Sequence, residues 1–333
     1  MYPSYISDLV RASGVQQGEH VLIHFWGEDS DREIAEAFLS AVAAAGAVPV
    51  LLQQSRTANY DLFRQAEENP FPDSYFDQFS QLDAVLDVFT YRPVILGQEL
   101  DDKHMAFYRS YMRRLFRVLM NAKRFTQIRI PTQANAEESG LPPDEYIRRM
   151  EQAYSIDYEA LRCRCQEKAA KLSTHTRFTL TTGDRCSAFF DTSGRQWYVD
   201  AGDGDWPCGE VYIAPLETKT HGSIFFPQLY LEDAGIFTDV TLHIQYGKLT
   251  GSSHPDIDRF LQTLAPEDTV ICELGFGMNP NITELCGYPL LDEKMCGSFH
   301  IAIGANHMFG GENRSGIHMD FVHSGQFAIL PKL

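Results

Sequence analysis

Histidine is unevenly distributed in this sequence. Four of the eleven histidines lie between residues 300 and 323, and one of them belongs to a His318-x-Asp320 pair. The surrounding segment G-I-H-M-D-F-V has the residue types of a β-strand, and residues two apart on a strand point to the same face. An imidazole and a carboxylate on one face can bind one divalent cation. A His-x-Asp pair is also common without a metal, so the interpretation depends on further ligands.

Other candidate ligands lie upstream of this pair. His300 lies in a second predicted strand, and His307 follows seven residues later in a loop rich in glycine and asparagine. Glu210 and Glu273 each lie in an apolar strand-like segment, where a carboxylate is costly to bury unless a positive charge meets it. That charge can be a lysine, an arginine or a metal. Neither glutamate has a lysine or arginine nearby in sequence, which favours the metal.

The mixture of donors limits the choice of metal. Two glutamates, one aspartate and two or three histidines, with no cysteine, suit Zn, Mn, Co or Fe(II). Six candidate ligands exceed the four of a tetrahedral zinc site and suffice for two metals that share a carboxylate. We therefore expect one or two divalent metal ions.

The order of predicted elements indicates the architecture that must position these residues. A strand at 20–27, a helix at 31–46 and a strand at 47–52 form a βαβ unit, which predicts a parallel sheet. Further strands are predicted at 83–95 and 124–131. After Lys171 the chain changes to short β-rich runs separated by glycine, aspartate and proline.

We therefore predict two domains. Residues 1–174 form an N-terminal α/β domain with a parallel sheet, and residues 175–333 form a C-terminal, β-rich α+β domain that binds the metal. Within the second domain, residues 240–250 are predicted to add further β-rich structure, and 253–264 are predicted as one helix.

Composition excludes several classes of partner. The chain has 333 residues and a formal net charge of −17, so it would repel nucleic acid. No run of about eighteen apolar residues predicts a membrane span, and the N-terminus does not have the pattern of a secretory signal. Seven cysteines, an odd number without a C-x-x-C motif, favour free thiols in the cytoplasm.

Several segments resemble the aminopeptidase T group of metalloaminopeptidases. The resemblance covers most of the chain and is most specific after residue 209. Its segments are Q-x-G-E-H-V-L-I (16–23), A-A-A-G-A-V-P-V-L-L (43–52), A-Y-S-I-D-Y (153–158), G-E-V-Y-I-A-P (209–215), E-L-G-F-G-M-N-P (273–280), D-E-K-M-C-G-S-F-H-I-A-I-G (292–304) and N-R-S-G-I-H-M-D-F (313–321).

The resemblance implies a two-metal site and a homodimer. By motif, Glu210 would be the shared carboxylate, Glu273 the second glutamate, His300 the first histidine, and His318 with Asp320 the closing pair. Seven residues after the first histidine, the related aminopeptidases have a tyrosine, and here that position is His307. An imidazole can replace a phenolate as ligand, but with less negative charge, so the metal could differ or the site could hold a single ion.

The leading functional hypothesis is a hydrolase that acts on the N-terminus of a peptide or amide through a metal-bound hydroxide. A general base must lie within hydrogen-bond reach. Glu293 is the first candidate and Glu312 a poorer one, although Glu293 could instead form an ion pair with Lys294. Asp203 and Asp205 could line the pocket or form a turn, and the turn is the simpler interpretation.

Two alternatives remain open at this stage. The 2,5-dihydroxypyridine 5,6-dioxygenases resemble the same group but use one Fe(II) held by two histidines and an aspartate. His318, Asp320 and either His300 or His307 would supply that set. The other alternative is a homologue that has lost catalysis and binds a peptide. In each case the expected ligand is a small peptide or small molecule.

Overall fold

The computed structural model describes residues 5–68, 70–183, 185–231 and 235–332. The chain divides into two compact units. The first comprises residues 1–158 and 202–208, and the second comprises 159–201 and 209–333. The predicted domain boundary at residue 174 stays a prediction, while the compact units divide at the start of a long helix that begins at Tyr158.

The first unit combines a parallel sheet with helices. Its helices are α1 (Tyr5–Ala12), α2 (Arg32–Ala44), α3 (Arg56–Arg64), α4 (Asp73–Asp77), α5 (Asp102–Leu119), α6 (Gln133–Ser139) and α7 (Pro143–Tyr154). Its strands are β1 (His20–Trp26), β2 (Val48–Gln54), β3 (Ala84–Phe89), β4 (Arg124–Arg129) and the short β8 (Asp205–Trp206).

These strands form one sheet in the order β2-β1-β3-β4-β8, and all of its pairs are parallel. The predicted βαβ unit is confirmed as β1-α2-β2. Strand β1 is buried after its first residue, as expected for an apolar strand in a parallel sheet that is covered on both faces. Side chains of β1, β3 and α3 to α5 form a buried aromatic-rich core.

The second unit is mostly antiparallel sheet. Its helices are α8 (Tyr158–Leu172), α9 (Pro255–Leu261) and α10 (Pro289–Asp292). Its strands are β5 (Arg177–Thr182), β6 (Cys186–Asp191), β7 (Tyr198–Asp200), β9 (Glu210–Ile213), β10 (His221–Leu231), β11 (Gly235–Gln245), β12 (Lys248–Ser252), β13 (Ile271–Gly277), β14 (Phe299–Gly304), β15 (His318–His323) and β16 (Phe327–Pro331).

Two sheets organise this unit. One has the order β12-β11-β10-β6-β5-β16, and the other has the order β15-β14-β13-β9-β7. Phenylalanines from both sheets pack together: the rings of Phe226 and Phe299 are 6.4 Å apart, and those of Phe276 and Phe327 are 6.1 Å apart. Because side chains alternate along a strand, the opposite face of the five-stranded sheet is left for other residues.

The predicted fold class, a parallel α/β part followed by a β-rich α+β part, is confirmed. The segment 240–250, predicted as β-rich, forms parts of β11 and β12, which are joined by a tight turn. Tyr246 and Gly247 have φ of 50° and 75°, and the chain reverses there from β11 into β12. In the described part of the chain, no helix combines the length and the apolar character needed to cross a bilayer.

Candidate metal centre

The five-stranded sheet brings two predicted ligands to either side of one small residue. Glu273 of β13 and Asp320 of β15 both pair with Ala302 of β14, from opposite sides. Residues directly opposite one another in a sheet share a face. Two carboxylates therefore flank a methyl group, and the small alanine side chain leaves space between them.

Farther along the same face, a glycine leaves space for the imidazole ring of His300. His300 precedes Ala302 by two positions and pairs with Gly275. A Cβ atom on Gly275 would lie 2.1 Å from His300 Nε2, a distance that no side chain tolerates. The glycine in E-L-G-F-G is therefore needed where the ring of His300 crosses the neighbouring strand. The ring is buried, and its Nε2 lies 3.1 Å from Glu273 Oε1.

A second carboxylate pair lies farther along the same face, toward the sheet edge. Glu210 of β9 pairs with Gly277 of β13, and Asp200 of β7 pairs with Glu210. Glu210 Oε2 lies 3.5 Å from His300 Nε2. Strand register thus places acidic side chains that are distant in sequence on one surface.

The segment after α10 adds an acid and a base from outside the sheet. Lys294 is buried, and its Nζ atom lies 2.5 Å from Glu210 Oε1, 2.8 Å from Glu293 Oε1 and 3.9 Å from Asp200 Oδ2. The five acids Asp200, Glu210, Glu273, Glu293 and Asp320 are named here the acidic cluster.

Two sets of three residues could hold a metal ion. The Glu210 group consists of Glu210, Glu293 and His300, and the Glu273 group consists of Glu273, His300 and Asp320. In each group the candidate ligand atoms lie within 4.8 Å of one another. The structure thus brings the predicted ligands Glu210, Glu273, His300 and Asp320 together, and His300 belongs to both groups.

His318 lies beside the Glu273 group with its ring oriented for binding. Its Nε2 atom is 3.5 Å from Glu273 Oε2 and 3.7 Å from Asp320 Oδ1. Its Nδ1 atom is 3.0 Å from the carbonyl oxygen of Ala305, which can only accept a hydrogen bond. The neutral ring therefore carries its proton on Nδ1, and the lone pair of Nε2 faces the carboxylates, as in histidines that bind metals.

The electrostatics of the acidic cluster show an excess of buried negative charge. Burial raises the pKa of Glu210 to about 8, although Lys294 opposes the shift. Burial and the charge of Glu293 also raise the pKa of Asp320. Burial alone would raise the pKa of Glu293 too, but Lys294 and His300 outweigh it and lower that pKa to about 2. One lysine therefore does not neutralise these acids.

The excess of negative charge also raises the pKa of His300 and of His318. Burial alone would lower the pKa of His300, but Glu273 and Asp320 raise it to about 9. Burial likewise opposes protonation of His318, and Asp320 with Cys272 raises its pKa well above the ordinary value. Both imidazoles thus sit where a positive charge is favoured, and a bound cation would replace their protons.

Unsatisfied polar atoms support the same interpretation. Glu210 Oε2 and Asp320 Oδ1 are buried, and neither has a hydrogen-bond partner among the residues that the structure describes. Such oxygens are costly unless a cation or a donor meets them. Because carboxylate oxygens and imidazole nitrogens converge there, the residues fit a divalent ion of the Zn, Mn, Co or Fe(II) type.

Other residues named from the sequence lie outside both groups. His307 and Glu312 are exposed in the loop between β14 and β15, and the structure does not bring the His307 imidazole to either group. Asp203 and Asp205 belong to the first compact unit. Asp205 lies in β8, where it pairs with Gln127.

Sequence reasoning missed two residues of the centre. It left a lysine or arginine open as the partner of Glu210 but named none, and Lys294 contacts Glu210 from 84 residues away. It also missed Asp200, which ends the segment Q-W-Y-V-D. The signal for Asp200 was a carboxylate at the end of an apolar strand, but only the strand register shows that it faces Glu210.

Comparison with known proteins agrees with this architecture. Wild-type AmpT from Thermus thermophilus superimposes with a TM-score of 0.66 at 18% sequence identity, covering 98% of this chain and 94% of that chain. At this identity the similarity shows the fold alone. Comparison with curated proteins gave no significant match. The family model described as thermophilic metalloprotease (M29) matches residues 8–330, so this chain belongs to the M29 family of metal-dependent peptidases.

Proposed function

We propose that this chain is an aminopeptidase-like hydrolase that removes the N-terminal residue of a small peptide or amide. The observation that carries the proposal is the convergence of Glu273, His300 and Asp320, with the Nε2 atom of His318 within 3.7 Å of both carboxylates. These four side chains would hold the divalent ion. When bound, such an ion lowers the pKa of a water ligand and polarises a carbonyl oxygen.

Glu210 is the proposed proton acceptor for the attacking water. Its Oε2 atom is buried, has no hydrogen-bond partner and faces the shared His300. Burial raises its pKa, so its ionised form binds a proton more strongly than an ordinary carboxylate does. Lys294 binds the other oxygen, Oε1, and so fixes the orientation of the carboxylate.

Glu293, the base considered from the sequence, fits a different role. Burial opposes its ionisation, but Lys294 and His300 outweigh burial and lower its pKa, which weakens it as a base; its Oε1 atom lies 2.8 Å from Lys294 Nζ. We propose that Glu293 anchors Lys294 and keeps it directed at Glu210.

An aromatic wall next to His318 is the proposed contact for the substrate side chain. The rings of Tyr198 and Tyr212 stack at 5.5 Å, and Phe309 meets Tyr212 edge-on at 5.5 Å. Phe309 also lies 6.0 Å from the ring of His318. Such a surface favours an apolar or aromatic side chain at the N-terminal residue.

The cellular setting is also a proposal. Seven cysteines, an odd number, support a reducing compartment such as the cytoplasm. The homodimer is supported by the family resemblance alone, and sedimentation of the purified protein would test it.

The test is a metal-dependent turnover assay. The protein is stripped with a chelator, reloaded separately with Zn²⁺, Mn²⁺, Co²⁺ or Fe²⁺, and given leucyl and phenylalanyl amides. We expect at least one metal to restore amide release. Matched substrates with an acetylated amine should not be cleaved, because an aminopeptidase needs the free N-terminus.

Two other results would replace the proposal. Oxygen uptake with a dihydroxypyridine, about one iron per chain and no amide release would assign the ring-cleaving dioxygenase. Peptide binding without turnover under any metal would assign a homologue that has lost catalysis.

A further inference from the structure

Lys294 divides the acidic cluster into two unequal parts. Each carboxylate of the Glu210 group gives one oxygen to the lysine ammonium, at 2.5 Å for Glu210 and 2.8 Å for Glu293. The carboxylates of the Glu273 group instead face the imidazoles of His300 and His318. One part of the cluster therefore already has a buried cation, and the other part has only titratable rings.

The imidazole of His300, which belongs to both metal groups, increases the difference between the two parts of the acidic cluster. His300 Nε2 lies 3.1 Å from Glu273 Oε1 and 3.5 Å from Glu210 Oε2. A ring nitrogen has one lone pair and binds one ion. If His300 serves the Glu273 group, that group has two nitrogen donors, counting His318, and two carboxylates, which is enough for four-coordinate binding.

The remaining position would then be a poor one for a second ion. It would keep only the two carboxylates of Glu210 and Glu293, each with one oxygen bound to Lys294. A divalent ion between them would lie within a few ångströms of the buried ammonium. Like charges at such distances repel strongly where little water screens them.

We propose that the Lys294 ammonium takes the counter-ion position at Glu210 and Glu293, so that the centre binds one divalent ion tightly instead of two with equal affinity. This inference rests on the proposed metal site. It assigns Lys294 a role in setting the number of ions bound, which makes Lys294 a positioning residue and not a catalytic one.

The experiment counts ions without depending on activity. The full-length protein is stripped by chelation, and Zn²⁺ or Mn²⁺ binding is followed by equilibrium dialysis with mass-spectrometric metal analysis. We expect wild type to bind one ion per chain at least about 100-fold more tightly than any second ion. In Lys294→Met the second ion should bind at least about 10-fold more tightly than in wild type, whereas Lys294→Arg should behave as wild type.

A second variant protects the test from misfolding. Lys294→Met leaves the acids with no lysine, which could unfold the protein. Combining it with Asp200→Asn removes one negative charge near Lys294, at a residue that belongs to neither metal group. This double variant should also bind the second ion more tightly than wild type does. Thermal unfolding followed by circular dichroism shows whether the variant is folded.

Each outcome distinguishes this inference from the proposed function. The role of Lys294 would be overturned if wild type bound two ions with equal affinity, or if both Lys294→Met variants bound the second ion no more tightly than wild type. Either result would leave the proposed metal site intact. No ion bound by folded wild type would overturn the metal site itself, and the role of Lys294 with it.

Discussion

Two buried pairs of histidine and carboxylate in this protein have different surroundings. In the parallel sheet of the first unit, His24 Nδ1 lies 2.8 Å from Asp87 Oδ1, and both side chains are fully buried. In the antiparallel sheet of the second unit, His300 Nε2 lies 3.1 Å from Glu273 Oε1, and both are buried. From residue types and burial alone, the two pairs are equivalent.

The difference lies in the charge and hydrogen bonds around each carboxylate. Asp87 accepts hydrogen bonds from Trp26 Nε1 at 2.8 Å and from Gln127 Nε2 at 3.3 Å. Rings of Trp26 and Phe116 pack against His24. Glu273 belongs instead to the acidic cluster, where Lys294 contacts three of the five acids and two of the acids have a buried oxygen without a donor among the described residues. Excess buried negative charge therefore distinguishes an ion site from a structural pair.

The largest expected effect is the loss of the ion from Asp320→Ala. Removing one of the donors should weaken binding of Zn²⁺ or Mn²⁺ more than about 100-fold, as measured by dialysis and metal analysis. Unfolding of the Asp320→Ala variant should remain cooperative. Because burial and Glu293 raise the pKa of Asp320, its charged form destabilises the folded state, and metal-free stability should not fall.

The exposed acid Glu267 provides the matched control. Glu267→Ala should keep the ion and the stability of wild type. If Asp320→Ala retained its ion at wild-type affinity, the Glu273 group would not be the binding site.

The opposite pattern is expected in the first unit. Asp87→Ala leaves the donors of Trp26 and Gln127 without their acceptor and removes the carboxylate that lies 2.8 Å from His24 Nδ1. Losing a buried partner of this kind should lower the free energy of unfolding by about 3 kcal/mol, measured by urea unfolding followed by circular dichroism. The number of bound ions should not change.

Asp77 is an exposed acid of the same unit and serves as the control. Asp77→Ala should have a small effect on stability. If Asp87→Ala were as stable as wild type but had lost the bound ion, the pair of His24 and Asp87 would contribute to ion binding and not to stability, contrary to the comparison.

A third buried histidine, His323, has no carboxylate partner within the described part of the chain. Its ring stacks on Phe299 at 4.6 Å, and Gly325 N donates to its Nδ1. Burial lowers the pKa of His323 to about 4 from an ordinary value of 6.5. The unfolded chain therefore takes up a proton first, so stability is lost as pH falls from about 6.5 toward 4, by about 1 kcal/mol at pH 5.5.

His323→Phe should remove this part of the acid sensitivity. Relative to wild type, the variant should lose less stability between pH 7 and 5.5, as measured by thermal unfolding at each pH. His243→Phe, at an exposed position of β11, provides the control and should not change the slope. Parallel pH profiles for wild type and His323→Phe would contradict the low pKa.

Much of the fold and the core of the site could be predicted from the sequence, for physical reasons. The βαβ unit was readable because apolar periodicity and Gly46 mark its strand and helix ends. The acids in apolar strands, Glu210 and Glu273, were readable because burial of a charge demands a partner.

The residues that lie next to Glu210 could not be predicted from the sequence. Lys294 and Asp200 meet Glu210 only through sheet register and the turn after α10, which pair residues far apart in sequence. The turn at Tyr246 was also missed, because a tyrosine with positive φ is not a signal that composition provides.

The smallest effect is expected at His307, where the related aminopeptidases have a tyrosine. His307 is exposed, and its neighbour Asn306 holds the loop in place. The Asn306 side chain donates to Glu217 Oε1 at 3.0 Å and to the carbonyl oxygen of Cys272 at 3.3 Å, and the backbone carbonyl of Asn306 accepts from Gly311 N. Because Asn306 is fully buried, swinging His307 toward the acidic cluster would require breaking these bonds.

We therefore expect His307→Ala to change the affinity for the ion less than about twofold, which lies within the effect of an ordinary surface substitution. Met308→Ala, at the next position, which is also exposed, is the matched control for loop perturbation. If His307→Ala lost the ion while Met308→Ala kept it, the imidazole would be a ligand in solution. The loop would then have a second arrangement in which the bonds of Asn306 are broken, and the Glu273 group with His318 would not be sufficient for tight binding.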